Sequence, residues 1–314
     1  MYNSPLVSII SVNYDQAEVT CEMLESLKNL SYKNIEIFIV DNASPNENAD
    51  IIKTRYPEVT LIKSNKNLGF AGGNNLAIRK ANGKYLFFLN NDTEVSSGCI
   101  EPLVELFETN SSAGIASPKI IFYETDNIIQ YAGSTKINPW TGRNRGIGSM
   151  EKDTGQFNNS SLTDLAHGAA MMVPKTVIDK VGLMPEIYFL YYEELDWCEM
   201  IKRKRYTSHY IGQSTIYHKE SVSVGKLSTL KTYYINRNRL LFIRRNFMGL
   251  QKWSSYLVFL LIAIPKRFLT HALNGEWKHC AALLKGLLWN FKTDTQNFTS
   301  YTNAGAFHLT DQTT

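Results

Sequence analysis

Cysteine is scarce in this 314-residue chain, and none of it is paired: Cys21, Cys99, Cys198 and Cys280 stand far apart, with no C-x-x-C spacing. That argues against a disulfide framework and against a zinc cluster, and it fits a reducing compartment. Residues 1–5 lack a basic region followed by an apolar core, so no secretory signal is expected there. There is no internal repeat, no low-complexity tract, and no match to G-x-G-x-x-G or the P-loop pattern. Trp253 to Ile264 is nearly all apolar but stops at Pro265 after about a dozen residues, whereas a membrane-crossing helix needs about 20. Acidic residues are missing altogether between Glu220 and Glu276, a stretch that carries Lys226, Lys231, Arg237, Arg239, Arg244, Arg245, Lys252, Lys266 and Arg267. The net charge of +4 therefore hides a basic block that seeks a polyanion: nucleic acid, anionic lipid or phosphate groups.

What is present, 44% hydrophobic and 20% charged, suffices for one sizeable α/β domain with an appendage. Tyr85-Leu86-Phe87-Phe88-Leu89 is an uninterrupted apolar run that ends at Asn90-Asn91-Asp92. Such a run reads as a strand buried on both faces. Leu6–Val12, Ile35–Val40 and Val59–Ile62 read as earlier strands. Helical spacing of Val19, Met23, Leu24, Leu27 and Leu30, then Ala49–Tyr56, then a helix opened by Asn67 to Asn75, separates them. Strands alternating with helices imply a mostly parallel, Rossmann-like sheet with right-handed crossovers. Gly114 to Ser161 is punctuated by glycine and proline and reads as loops and short strands. Ala169–Pro174 reads as a short strand, Glu193–Arg203 as a helix and Tyr210–Tyr217 as extended. From Leu227 the pattern is helical and basic, and the tail after Thr293 is polar and expected to be loosely held.

Polar groups at the carboxyl ends of strands stand where open α/β sheets bind ligands. Asp41 suits a ribose or base N–H, or else simply builds the turn Asp41-Asn42-Ala43-Ser44-Pro45. Gly69 to Asn75 suits close backbone approach to an anion at a helix start, or close packing. Asp92, with Asn90 and Asn91, suits a hard cation and the phosphates it carries, or caps a following helix up to Glu101. Glu193, Glu194 and Asp196 fall among aromatics, where a carboxyl is raised toward general-base range, or else they complement the helix dipole. They cannot all face one way. His218, at a strand end, is a metal ligand or a satisfied structural imidazole, and His167 is open in the same way.

These pieces, taken in order, resemble family 2 glycosyltransferases with the GT-A fold. The order runs Val7-Ser8-Ile9-Ile10-Ser11-Val12-Asn13-Tyr14, Val40-Asp41-Asn42-Ala43-Ser44, Asn67 through Asn75, and Leu89-Asn90-Asn91-Asp92. Gly168-Ala169-Ala170-Met171-Met172-Val173, Glu193-Glu194-Leu195-Asp196-Trp197-Cys198 and His218 complete it. The match covers roughly residues 5–245, and it is closest to bacterial rhamnosyltransferase-like members that build surface polysaccharides. The resemblance implies a GT-A catalytic domain over 1–225, with a nucleotide-sugar half to about 95 and an acceptor half from about 96, followed by a basic amphipathic helical region over 226–314.

It also implies roles. Asn13, Tyr14, Asp41, Asn67, Gly69, Phe70, Asn74 and Asn91 would line the nucleotide-sugar pocket. Asp92 and His218 would hold Mg²⁺ or Mn²⁺. His167, Gly168, Glu193 and Trp197 would lie on the acceptor side. Glu194 would be the base, with Asp196 the second choice. Two departures stand out: Asn90 replaces the first acid of the family's DxD motif, and Glu194 replaces the usual aspartate of its Glu-Asp motif. The implied reaction is an inverting transfer of a sugar, rhamnose among the candidates, from a dTDP- or UDP-sugar to a glycan or lipid-linked saccharide in surface polysaccharide synthesis. A non-catalytic nucleotide-sugar or glycan binder of the same fold is the alternative.

A sugar-phosphate nucleotidyltransferase would carry Gly with Arg and Lys after the first strand, where this chain has Asn13-Tyr14-Asp15-Gln16. Nucleic-acid binding has no recognition motif here. The implied location is cytoplasmic, with the basic C-terminal stretch open to an anionic inner membrane face or to a second subunit in a homo-oligomer.

Overall fold

The computed structural model describes residues 4–220 and 228–293. The expected domain boundary at 225/226 and the polar tail after Thr293 lie outside the described residues. Strand and helix alternate through β1 (Val7–Asn13), α1 (Ala17–Leu27), β2 (Ile35–Asp41), α2 (Asp50–Arg55), β3 (Thr60–Lys63), α3 (Gly69–Ile78) and β4 (Tyr85–Leu89). β1 pairs in parallel with β2 and β4, and β2 with β3. All five side chains of β4 are buried, as its unbroken apolar run requires of a strand covered on both faces. The register sets Asn13 opposite Asp41.

The chain continues through β5 (Thr93–Val95), α4 (Glu101–Thr109), β6 (Ala113–Phe122), β7 (Ile129–Tyr131), β8 (Ser161–Thr163), β9 (Ala170–Pro174), α5 (Lys175–Val181), a 3-10 turn at Glu186–Tyr188, α6 (Glu193–Arg203) and β10 (Thr207–His218). The sheet order is β3-β2-β1-β4-β9-β6-β10-β5. The expected parallel arrangement holds for β1–β4. Beyond β4 the sheet is mixed, because β9 inserts antiparallel to both β4 and β6.

Three local expectations are corrected. Asp92 does not cap a helix, since a short strand, β5, follows it. The stretch from Gly114 is regular at its start: β6 is a ten-residue strand in the middle of the sheet. It tolerates Pro118 because β10 carries extra residues between Ile211 and Thr215 opposite that point, where a ladder hydrogen bond is not needed. The third concerns Pro265.

The C-terminal region is helical: α7 (Thr229–Asn246), α8 (Gly249–Leu257), α9 (Ile264–Leu273) and α10 (Trp277–Lys292). Pro265 does not end the apolar helix. It lies inside a longer helix, directly after a π-helical stretch, Val258–Ala263, whose wider turn accommodates the proline's missing N–H and its ring. The result is a continuous helix, Gly249–Leu273, of 25 residues, long and apolar enough by length and composition to cross a membrane. Both of its ends are tied to the rest of the chain. Ser254 Oγ and Ser255 Oγ donate to the carbonyls of Trp140 and Pro139 at 3.0 and 2.6 Å, and Arg267 Nη1 donates to Asn236 Oδ1 at 2.7 Å. Inward, Phe259, Ala263 and Ile264 pack on Leu240 and Ile243 of α7 and Leu283 of α10. Outward, Leu250, Trp253, Leu257, Leu261, Leu269 and Leu273 are exposed at helical spacing.

Candidate active site

The site lies along the carboxyl ends of β1, β2 and β4, where chain direction brings polar strand ends together. Asn13 Nδ2 donates to Asp41 Oδ1 at 3.0 Å, and Ser44 Oγ donates to the same oxygen at 2.6 Å. Thr20 Oγ1 donates to Asn13 Oδ1 at 2.9 Å and accepts from Asn91 Nδ2 at 3.1 Å. Asn91, Asn13 and Asp41 are thus joined in one network through Thr20, whose part was invisible in the sequence. Asn42, to which the sequence assigns no site role of its own, holds the next segment: its amide donates to Asn67 Oδ1 and Gly69 O at 3.0 and 3.1 Å, and it accepts from Leu68 N at 2.9 Å.

Gly69 adopts φ +71°, and a Cβ there would stand 2.1 Å from Phe189 O. Only glycine fits that approach. Phe70 N donates to the same carbonyl at 2.7 Å. Asn74 is buried, with its amide donated to Phe70 O at 2.9 Å, so it braces the start of α3. Tyr14 is half-buried beyond the end of β1.

Asp92 and His218, remote in sequence, meet at 3.1 Å between Oδ1 and Nε2, and both are buried. The pairing of β5 with β10, with Thr93 opposite His218, makes this meeting. His218 Nδ1 lies 2.7 Å from Gln130 Oε1, which accepts from that nitrogen when it carries the ring proton. In a singly protonated ring, Nε2 then presents a lone pair to a carboxylate oxygen, an arrangement that a cation between them relieves. The 3.1 Å separation suits two neighbouring donors on one octahedral ion, which stand about 3 Å apart when each bond is about 2.1 Å. The outward hydrogen bond to Gln130 is what a metal-binding imidazole usually has. Asn90 Nδ2 approaches the same Nε2 at 3.4 Å. Among the described residues no group of three or more His, Cys, Asp and Glu surrounds one point. The donor set is therefore a pair, suited to an ion that takes its other ligands from water and phosphate oxygens.

Next to this pair lies His167, its ring centroid 6.3 Å from that of His218. Its Nδ1 accepts from Ala169 N at 3.1 Å, and burial together with His218 pushes its pKa down to about 3. It is neutral, with its proton on Nε2. Asn90 N donates to Ala169 O at 2.9 Å, which holds this turn against the end of β4. Gly168 faces Glu194, whose Cδ would lie 3.7 Å from a Cβ at that position. A chain of neighbours thus runs from the Asp92–His218 pair through His167 and Gly168 to Glu194.

The three acids of α6 separate as helix geometry demands. Glu194 is half-buried, its Oε2 has no hydrogen-bond partner, and burial lifts its pKa to about 7. Glu193 is buried, and burial and then Glu194 raise its pKa well above the carboxylate range. Asp196 is fully buried, accepting from Arg245 Nε at 2.9 Å and from Asn246 Nδ2 at 2.6 Å. Two expectations are corrected here. Asp196 is spent on α7 and is no free base. Trp197 does not face an acceptor: it is fully buried, donates to Gly182 O at 3.0 Å and packs edge-on against Phe88 in the core.

The sequence model of the family described as Glycosyl transferase family 2 matches residues 8–181. The chain is 29% identical over 247 residues to the low-salt glycan biosynthesis hexosyltransferase Agl10 of Haloferax volcanii, covering 75% of this chain and 74% of that protein. It is 20% identical over 241 residues to an N-acetylglucosaminyl-diphospho-decaprenol L-rhamnosyltransferase of Mycobacterium tuberculosis, covering 70% of this chain and 78% of the relative. Among solved structures, the mannosyltransferase PcManGT of Pyrobaculum calidifontis, in complex with GDP-Man and Mn²⁺, superposes with a TM-score of 0.57 at 14% identity, covering 93% of this chain and 88% of that one. Other matched structures are longer, and this chain spans 51% of one of them.

Proposed function

The chain belongs to glycosyl transferase family 2, and we propose that it transfers a sugar, with inversion, from a nucleotide-diphosphate donor to a hydroxyl of a glycan or lipid-linked saccharide in surface polysaccharide synthesis. The observation that carries this reading is Glu194: a carboxylate oxygen without a partner, beside Gly168 and linked through His167 to the Asp92–His218 pair. The similarity to a glycan-biosynthesis hexosyltransferase and to an L-rhamnosyltransferase acting on a diphospho-decaprenol acceptor supports the substrate class and makes rhamnose one donor sugar to test. We read residues 1–225 as the catalytic domain and 226–314 as its C-terminal region.

Asn13, Asp41, Asn67 and the backbone at Gly69 and Phe70 would hold the nucleotide, with Tyr14 and Asn91 beside them. Asp92 and His218 would hold a divalent ion, Mg²⁺ or Mn²⁺, which when bound offsets negative charge on the departing diphosphate. Glu194 takes the proton from the acceptor hydroxyl as that oxygen approaches the anomeric carbon. His167, neutral, and Gly168 border the acceptor together with Glu193, whose carboxyl burial lifts well above its usual range.

The test is release of nucleoside diphosphate from a panel of dTDP-, UDP- and GDP-sugars, each first screened by thermal shift with and without Mn²⁺. Metal-dependent release with one of them is the expected result. Thermal stabilisation without release on any acceptor would point to the non-catalytic binder.

The outward apolar stripe of Gly249–Leu273 supports a peripheral membrane contact. Its flanking Lys252, Lys266 and Arg267 suit an anionic leaflet. The hydrogen bonds that pin both ends of this helix favour its lying in the membrane plane over crossing it. A second copy of the chain is the competing cover for the same face.

A further inference from the structure

The loop that feeds α6 is held in an unfavourable form. Phe189, Tyr191 and Tyr192 take φ of 65°, 67° and 78°, the left-handed region that residues with side chains seldom adopt. Such backbone persists only where its surroundings fix it. Its surroundings come from two directions. On one side is the start of α3, through Phe189 O. On the other is α7. Asn238 Nδ2 donates to the carbonyls of Tyr188, Leu190 and Tyr191 at 3.0, 2.7 and 2.7 Å. Arg237 Nη2 donates to Ile187 O at 2.9 Å and also to Tyr188 O.

Asn238 and Arg237 are both fully buried. Arg237 has no carboxylate partner among its hydrogen bonds; the rings of Trp289 and Tyr234 flank it at 4.4 and 4.6 Å. A buried cation is costly, and this one donates to the loop and to its neighbour Asn238, with the Tyr233 side chain a further partner. Glu194 follows two residues after Tyr192, at the start of the helix this loop aims. Both clamp residues lie outside the 8–181 segment that matches the family.

We propose that Asn238, with Arg237 beside it, is a positioning residue: it fixes the 188–191 backbone so that the Glu194 carboxylate is held over Gly168, which makes the C-terminal helix α7 part of the catalytic apparatus. This rests on the reading of Glu194 as the base.

The experiment compares Asn238→Ala, Glu194→Gln and the double variant, using whichever dTDP-, UDP- or GDP-sugar the wild type turns over. Asn238→Ala is expected to lower kcat about 10–100-fold through misplacement of the reacting group, with donor KM and binding of the free nucleotide little changed. If Asn238 acts through Glu194, the double variant is no slower than Glu194→Gln alone. Full multiplication of the two losses overturns the proposal, as does an Asn238→Ala enzyme with normal kcat.

If Glu194→Gln alone keeps normal turnover, the base reading fails, and the clamp is then judged on kcat of Asn238→Ala alone: a loss at constant KM supports it and normal kcat ends it. Should Asn238→Ala not fold, Asn238→Ser keeps one donor and is expected to show the same split of kcat from KM in weaker form. A loss confined to melting temperature in that variant overturns positioning in favour of a structural role.

Discussion

Arg245 closes over Asp196: its Nε lies 2.9 Å from Oδ2 of a carboxylate with no solvent exposure, and Asn246 takes the other oxygen. The pair binds α6 to α7, and it separates two acids that the sequence could not. Asp196→Ala is expected to cost about 3–5 kcal/mol of stability, because it strands a cation in a partly buried site. Glu194→Gln should leave the melting temperature nearly unchanged and lower kcat about 10²–10⁴-fold. Thermal melts alongside steady-state rates check both. The opposite pattern, a stable and inactive Asp196 variant beside an active Glu194→Gln, would transfer the base to Asp196.

The pH dependence follows from the same carboxyl. Burial holds Glu194 at about 7, and a base must be ionised, so kcat/KM should rise with pH through about 7 and level off above it. Stability should run the other way. The folded pKa values of Glu194 and Glu193 both lie above those of the unfolded chain, so the fold binds these protons more tightly than the unfolded state does. Their contribution to stability is therefore greatest below the unfolded carboxylate value, about 4.3, and that of Glu194 is lost as pH rises from there through about 7. Glu194→Gln should flatten part of that stability slope. A wild-type rate profile that is flat across about pH 5–8 would contradict the assignment.

Gln130 offers a test of the proposed cation site that leaves Asp92 and His218 in place. Its Oε1 lies 2.7 Å from His218 Nδ1, a contact that favours the tautomer with the ring proton there and the Nε2 lone pair toward Asp92. Gln130→Leu removes that acceptor and is expected to raise the Mn²⁺ concentration for half-maximal activity about 10–100-fold, with kcat at saturating metal mostly retained. His218→Ala should be harder to rescue. If Gln130→Leu leaves the metal titration unmoved, the imidazole is not oriented from this side.

The N-terminal part, β1 to β4, was legible because its strands are unbroken apolar runs and its polar residues sit where those runs stop. Register alone then brings Asn13 to Asp41. The part after β4 was less legible. A five-residue apolar run such as Ala170–Pro174 does not encode whether its neighbours run with or against it. Thr20, Gln130 and Asn238 are single polar residues whose importance comes from a carbonyl or hydroxyl far away in sequence, and no spacing announces them. Trp197 misled because an aromatic beside acids reads alike whether it faces a cleft or the core. Pro265 misled because a proline inside a helix usually ends it, and here the π stretch just before it makes room for the ring and the missing N–H.

The C-terminal face yields the last expectation. Trp253, Leu257 and Leu261 are exposed by 66%, 57% and 67% on one side of a helix whose other side is anchored to α7. A side chain of this kind gains about 1.5–3 kcal/mol on leaving water, so three together can hold a protein on a bilayer once basic residues bring it close. The wild type should float with vesicles containing phosphatidylglycerol at low salt and be weakened, not released, by high salt. Trp253→Glu/Leu257→Glu/Leu261→Glu should lose at least about a hundredfold in partitioning, with its melting temperature and nucleotide binding intact because none of the three supports the core. A wild type that stays with the soluble fraction and instead dimerises with concentration, through the same three positions, would assign the face to a second copy of the chain.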